Sequence, residues 1–216
     1  MLDYYAKHSG MVVLSVGYRL APEDPYPKGN EDCFDIGEYL VDKSEKEFGA
    51  PLRFITGDSA GAHLSVLTAF HLLKSRPDFD LKGLVLSFGA YNLTTLLPGA
   101  HTFSLPLVLD GGIMQKYIDT YLPDTTVADR TDPWISPVYA NLAEMKLPPA
   151  FFAIGTQDPL VDDNILMSTK WSLSGAESVL KFYPGAPHGF TFFPIGGTEQ
   201  TLLALEDIIT FVSEKL

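Results

Sequence analysis

The chain has 216 residues, of which 46% are hydrophobic, 12% aromatic and only 19% charged; 15 Lys and Arg stand against 27 Asp and Glu, for a formal net charge of −12. A chain this apolar folds around a packed core, and its acidic balance, with no basic run, excludes a nucleic-acid groove or an anionic-membrane patch. The single Cys33 excludes an internal disulfide framework and a cysteine-based metal centre, so neither a metal nor a cofactor is expected.

No apolar stretch approaches the ~18 residues of a membrane span. Met11 to Val16 is too short and too late for a signal peptide, and Asp3, Lys7 and His8 precede it. The reading is a cytoplasmic protein. Met11–Ser15 is a continuous apolar run, as expected of a strand buried on both faces. A proline-bearing loop follows, with Tyr18 to Glu23 at its start. Asn30 is the expected cap of the next helix, with Cys33, Ile36 and Leu40 on one face and Gly49 and Pro51 at its end. Leu52–Thr56 reads as a second strand. Ala60 to Ser75 reads as a helix apolar nearly all round and therefore deeply buried. Leu84–Phe88, Ala150–Ile154 and Val179–Tyr183 read as three further strands. Leu160 to Leu173 forms a helix between the last two, and Glu199 to Lys215 closes the chain as a helix capped by Thr198. Strands alternating with helices give an α/β fold: one domain over residues 1–216, with a mostly parallel sheet sandwiched by helices. Residues 92–147 are too long for an ordinary connection. With one amphipathic helix around Ile113 to Tyr121, they are expected to form a lid insertion over a site.

Gly57-Asp58-Ser59-Ala60-Gly61 follows a strand and opens the most buried helix. A serine in that turn projects above the sheet, at a helix N-terminus whose dipole favours developing negative charge. The Ala60 N–H is the expected oxyanion donor. A serine nucleophile needs a base. Of the five histidines, only His188 lies beyond the last strand, in a Gly- and Pro-flanked loop. His63 and His71 are expected to be structural, His101 to sit in the lid, and His8 is assigned nothing. Asp158 stands at the C-terminal edge of the fourth strand, where catalytic groups gather in parallel sheets, and is the expected partner of the imidazole. Asp162 and Asp163 are its rivals. Arg19 and Glu23 are expected to pair and brace their loop. Asp58 either tunes charge at Ser59 or bonds nearby backbone. Phe103, Tyr117, Tyr121, Phe190 and Phe192 are candidate acyl-pocket aromatics, although no substrate-binding residue is singled out.

These residues resemble the hormone-sensitive-lipase-like branch of the α/β-hydrolase superfamily. The resemblance rests on Tyr18-Arg19-Leu20-Ala21-Pro22-Glu23, Gly57-Asp58-Ser59-Ala60-Gly61-Ala62-His63-Leu64, Asp158-Pro159-Leu160-Val161-Asp162-Asp163 and Gly185-Ala186-Pro187-His188-Gly189-Phe190. It implies a serine carboxylester hydrolase acting on small-molecule esters of short to medium acyl chain, with Ser59, Asp158 and His188 as its triad. The family carries a His-Gly-Gly-Gly motif before the tyrosine–arginine motif. That motif is absent here, together with the strand that should lie between Met11–Ser15 and Leu52–Thr56. Three expectations follow: the sequence is N-terminally incomplete, or the sheet closes up over the gap, or a partner chain fills it. An unpaired strand edge would also favour a homodimer. The alternative function is a catalytically impaired scaffold, or an inactive fragment, that binds a small molecule.

Overall fold

The computed structural model describes residues 1–102, 107–194 and 198–216. Helix α1 (Leu2–Ser9) opens the chain and is stopped by Gly10 in the left-handed conformation. Helix α2 (Lys28–Phe48) follows, then strand β1 (Phe54–Asp58), helix α3 (Ala60–Ser75) and strand β2 (Gly83–Ser87). A short helix α4 (Pro98–Thr102), helix α5 (Gly111–Tyr121) and three single 3₁₀ turns occupy the long connection to strand β3 (Ala150–Gln157). Helix α6 (Val161–Leu173), strand β4 (Ser178–Pro187) and helix α7 (Glu199–Lys215) complete the fold. The four strands form one sheet in the order β1-β2-β3-β4, and every pair is parallel.

Parallel strands with helical crossovers are covered on both faces, and the side-chain alternation shows which helices cover which face. Leu84, Leu86 and Phe152 join Val66, Leu67, Met167 and Trp171, so α3 and α6 lie on one face. Val85 and Phe151 join Tyr5, Leu205, Ile208 and Phe211, so α1 and α7 lie on the other. All five residues of β2 are buried, and Ala150 to Ile154 of β3 are as well. The functional groups hang from this pair of strands and their neighbours.

Four expectations need correcting. Residues 2–9 form a helix that the apolar pattern does not announce. Met11–Ser15 is extended but pairs with no strand among the described residues. Met11 and Val13 pack on the α1/α7 core while Val12 and Leu14 point to the open side, so only one face of the run is covered. The sheet does not close up over the gap. Helix α2 begins at Lys28, after Pro27, and not at Asn30; Asn30 is buried inside it and accepts the Tyr121 hydroxyl. Arg19 does not pair with Glu23. Its guanidinium meets both carboxylate oxygens of Asp32, at 2.7 to 3.1 Å, and Asp32 also accepts the Arg19 N–H at 2.8 Å. The loop is braced to α2, not to itself. No described helix is long and apolar enough to cross a membrane.

Candidate active site

The turn from β1 into α3 is set by backbone contact. A Cβ on Gly57 would sit 2.1 Å from the Gly61 carbonyl oxygen, far inside any allowed approach. Strand and helix meet so closely only because Gly57 has none. Between them Ser59 takes φ 56° and ψ −117°, the left-handed side that an ordinary residue avoids. The strain is held by hydrogen bonds on both sides. Ser59 N–H donates to Ser87 at 2.9 Å, and the Ser59 carbonyl accepts Ala62 N–H at 3.0 Å and His63 N–H at 3.2 Å. The outcome is a serine hydroxyl aimed off the strand end. The exposed Ala60 N–H makes no hydrogen bond among the described residues.

Asp158 follows β3 and is fully buried. One carboxylate oxygen accepts Leu160 N–H at 2.9 Å. The other lies 2.9 Å from His188 Nδ1, and His188 Nε2 lies 2.9 Å from Ser59 Oγ. Since a carboxylate only accepts, Nδ1 carries the proton and Nε2 presents its lone pair to the serine hydroxyl. His188 comes directly after β4. That strand approaches β3 so closely that a Cβ on Gly155 would be 2.1 Å from the Ala186 carbonyl oxygen. The pairing register shifts between Gly155 and Gln157. Such an irregularity re-aims the end of a strand, here toward Ser59. Phe88 packs edge-on against the imidazole at 4.9 Å.

Asp162 and Asp163 are placed elsewhere. Asp162 accepts Gly99 N–H at 2.7 Å. Asp163 accepts Tyr91 and Asn92 N–H, each at 2.8 Å. They fasten the start of the long connection to the first turn of α6, which sequence reasoning missed. Burial pushes the Asp163 carboxyl up to about 7, against the pull of those two N–H groups. Burial likewise raises Asp58 to about 6. It accepts the Thr191 hydroxyl at 3.4 Å, a side-chain bond rather than the backbone bond that was one of its two expected roles. His63 donates from Nδ1 to the Ala90 carbonyl at 2.9 Å, and burial lowers its pKa to about 4. His71 stacks on Phe34 and meets Glu38. His101 lies in α4, and His8 bonds the Tyr4 carbonyl.

Of the candidate pocket aromatics, Phe190 is core, packed on Phe88 and Tyr183. Tyr121 is held by Asn30. Tyr117 is 68% exposed on α5. Phe192 is 59% exposed and lies 6.1 Å from Phe88, the ring that packs on the imidazole. Phe103 lies outside the described residues. Among the described residues, no cluster of His, Cys, Asp and Glu could hold a metal ion.

Comparison with known proteins places this geometry in context. A family model for the alpha/beta hydrolase fold matches residues 1–192. Ethyl acetate hydrolase of Pseudomonas putida is 27% identical over 186 residues, covering 86% of this chain and 58% of that protein. An esterase of Acinetobacter venetianus is 30% identical over 210 residues, covering 96% of this chain and 66% of its own. The solved hyperthermophilic esterase from the archaeon Pyrobaculum calidifontis superposes with a TM-score of 0.89 at 30% identity, over 99% of this chain and 67% of that one. A hormone-sensitive lipase from a metagenome library gives 0.87 at 25% identity, over 99% and 69%. The chain thus spans a little under three-fifths of the length of the first curated relatives it matches.

Proposed function

The chain belongs to the α/β-hydrolase family, in its hormone-sensitive-lipase-like branch, and from that premise we propose that it is a serine carboxylester hydrolase for small-molecule esters of short to medium acyl chain. The observation that carries the reading is the unbroken pair of 2.9 Å contacts from Asp158 through His188 to Ser59. The names of the Pseudomonas and Acinetobacter relatives support the ester-hydrolase class.

In this reading Ser59 Oγ attacks the ester carbonyl while His188 Nε2 takes its proton. The buried Asp158 keeps the proton on Nδ1 and stabilises the imidazolium that forms. The carbonyl oxygen becomes an oxyanion facing the Ala60 N–H at the N-terminus of α3, where the helix dipole adds favourable potential. Collapse expels the alcohol, which takes the proton back from His188. Water then enters, gives a proton to the same nitrogen and attacks the acyl-enzyme, returning Ser59. The open face beside Phe192 and Phe88 is the proposed acyl side. Residues 92–147, tied down by Asp162 and Asp163, are the proposed cover.

Hydrolysis of p-nitrophenyl acetate and butyrate, measured beside Ser59→Ala, tests the proposal. The wild type is expected to turn over both esters and the variant neither. Equal rates for the two proteins would overturn it. Labelling by a fluorophosphonate, lost in His188→Ala, would separate an activated serine from a site that merely binds esters.

A further inference from the structure

The alternation of strand β2 breaks just past its end. Successive side chains of a strand point to opposite faces, so Leu84 and Leu86 face α3 and α6 while Val85 faces α1 and α7. Phe88, two residues beyond Leu86, should join the α3 and α6 side. Its ring lies instead in the other core, fully buried with Val85, Phe151 and Phe190. The cause is local. Phe88 takes φ 41°, in the left-handed region where a bulky side chain is a genuine outlier. Among the described residues, Ser59 is the one other non-glycine residue with positive φ. Gly89 stands next in the chain and could adopt that conformation without strain, yet it does not. It is needed for space: a Cβ there would stand 2.2 Å from the Tyr91 hydroxyl.

The strained residue is clamped on both sides. The peptide unit between Ser87 and Phe88 is bonded twice: its carbonyl accepts the Ser59 N–H at 2.9 Å, and its N–H donates to the Ala153 carbonyl at 2.7 Å. Just beyond, the Gly89 carbonyl accepts the Asn164 amide at 3.0 Å, and Asp163 accepts the Tyr91 N–H at 2.8 Å. Strain that the surroundings over-determine in this way marks a functional point. What the crossing brings about is a contact. The Phe88 ring lies 4.9 Å from the His188 imidazole at an interplanar angle of 69°, and it is itself packed on Phe190 at 5.9 Å. We infer that Phe88 is a positioning residue for His188: its left-handed backbone carries the ring against the imidazole and keeps that imidazole aligned with Asp158 and Ser59.

The two 2.9 Å contacts of His188 are made at its two nitrogens. They fix the imidazole along one line and leave it free to rock about that line, which turns the Nε2 lone pair off the serine hydroxyl. A hydrogen bond tolerates a broad range of angles, whereas a packed aromatic ring resists tilt over its whole area. Glycine or asparagine would take φ 41° with little strain but would bring no such wall. The need is greatest in the acyl-enzyme, a step that rests on the esterase reading. There Ser59 Oγ is esterified and has no proton to donate. Asp158 is then the one member of the triad still bonded to the imidazole, and Phe88 is the wall that keeps it in place while water enters.

The test compares Phe88→Leu with Phe151→Leu in the full chain. Both lose a buried ring and keep an apolar side chain; Phe151 belongs to the same core, but its ring pairs with Phe211 at 5.5 Å. Phe88→Met, an unbranched filler of the same space, repeats the comparison should leucine unfold the chain. The first readout needs no turnover. It is the low-field proton NMR resonance of His188 Nδ1–H, deshielded and guarded from exchange by its bond to the Asp158 carboxylate and identified by its loss in His188→Ala. The resonance is expected in the wild type and in Phe151→Leu, and not in Phe88→Leu. Its absence from the wild type, its survival in Phe88→Leu or its equal loss in Phe151→Leu would each overturn the inference. The second readout is hydrolysis of p-nitrophenyl acetate. Phe88→Leu should lower kcat at least about tenfold with KM within about threefold, and show a burst of p-nitrophenolate as deacylation becomes the slower step. A kcat within about twofold of an active wild type would overturn the inference too. A wild type no faster than Ser59→Ala would remove the esterase reading instead, and the resonance would then decide this one alone.

Discussion

The two flanks of the strand that carries Ser59 are built to different standards. Toward β2 and β3 the strands pair in continuous parallel register, the side chains of β2 and of Ala150 to Ile154 are buried, and glycines at positions 57 and 155 allow backbone approaches to α3 and β4 that a single methyl group would block. Away from β2, the same strand faces an open trough with the unpaired run Met11–Val16 across it. Yet the relay from Asp158 through His188 to Ser59 is unbroken. The reason is that Ser59, Asp158 and His188 are presented by strand ends, and the ends of β1, β3 and β4 are fixed by the ladders on the closed side. Chemistry in a parallel sheet depends on the C-terminal edge, and that edge can be ordered while a lateral position is open.

The largest expected effect tests whether the closed half alone supplies proton transfer. Asp158→Asn removes the acceptor that holds the proton on Nδ1 and leaves the volume unchanged. The amide nitrogen can donate to Nδ1, favouring the wrong tautomer. A drop of about 10⁴-fold in turnover of p-nitrophenyl butyrate is expected, with the unfolding midpoint little altered. A loss below tenfold would show that the histidine is oriented by something other than Asp158.

Next in size is Gly57→Ala. The new Cβ would meet the backbone of Gly61, which cannot swing away as a side-chain tip could. Strand β1 and α3 must separate, at a cost of about 2–4 kcal/mol in urea unfolding, and the Ser59 hydroxyl shifts with them. Labelling by fluorophosphonate should fall together with stability. Full labelling at wild-type rate would show that β1 can give way into the trough without disturbing the turn.

A pair of leucine truncations sharpens the contrast directly. Leu86 is fully buried between β2 and its helices, and Leu86→Ala should cost about 3 kcal/mol or more by leaving a closed cavity. Leu40 is also buried but lines the trough. Truncating it enlarges a space that is already open, so Leu40→Ala should cost about half as much. Equal costs in urea titration would mean that the trough is closed in solution.

Much of this was legible in the sequence, for a physical reason. Helix α3 is apolar on nearly every face, so its bounds at Ala60 and Ser75 follow from composition and from Pro77 beyond them. The Thr198 cap is equally local, and it accepts Thr201 N–H as a capping side chain should. Ser59, Asp158 and His188 stand out because each follows an apolar strand run. What could not be read was non-local. An apolar run such as Met11–Ser15 announces a strand but not whether a neighbour lies within hydrogen-bonding distance. Helix α1 buries only Tyr5, too little to leave a stripe. The roles of Asp162 and Asp163 depend on N–H groups 63 and 72 positions away, which no local pattern around a first-turn carboxylate shows.

The smallest effect is one of pH, and it separates the two halves by window. Asp163, on the closed side, is raised from 3.8 to about 7, and Asp58, at the end of the trough, from 3.8 to about 6, in both cases chiefly by burial. Between the unfolded and folded values the native state holds a proton that the unfolded chain has released. Stability therefore falls as pH rises through each window and is level above it. His63 acts with the opposite sign. Its pKa is lowered from 6.5 to about 4, so the unfolded chain binds the extra proton and stability rises with pH between those values. From about pH 6 to 7 Asp163 gives the largest slope, while the end of the Asp58 titration and the unfolded-state titration of His63 contribute smaller slopes, opposite in sign to each other. Asp163→Asn keeps an oxygen for the Tyr91 and Asn92 N–H groups and removes the charge. Its melting temperature should fall less than that of the wild type between about pH 6 and 7.5, whereas Asp58→Asn should alter the slope chiefly below about pH 6.5. Both variants should change the slope in the shared range below about pH 6. If Asp58→Asn changed it as strongly as Asp163→Asn above about pH 6.5, the two carboxyls would titrate as one group, and the open flank of β1 would be electrostatically continuous with the closed half of the sheet.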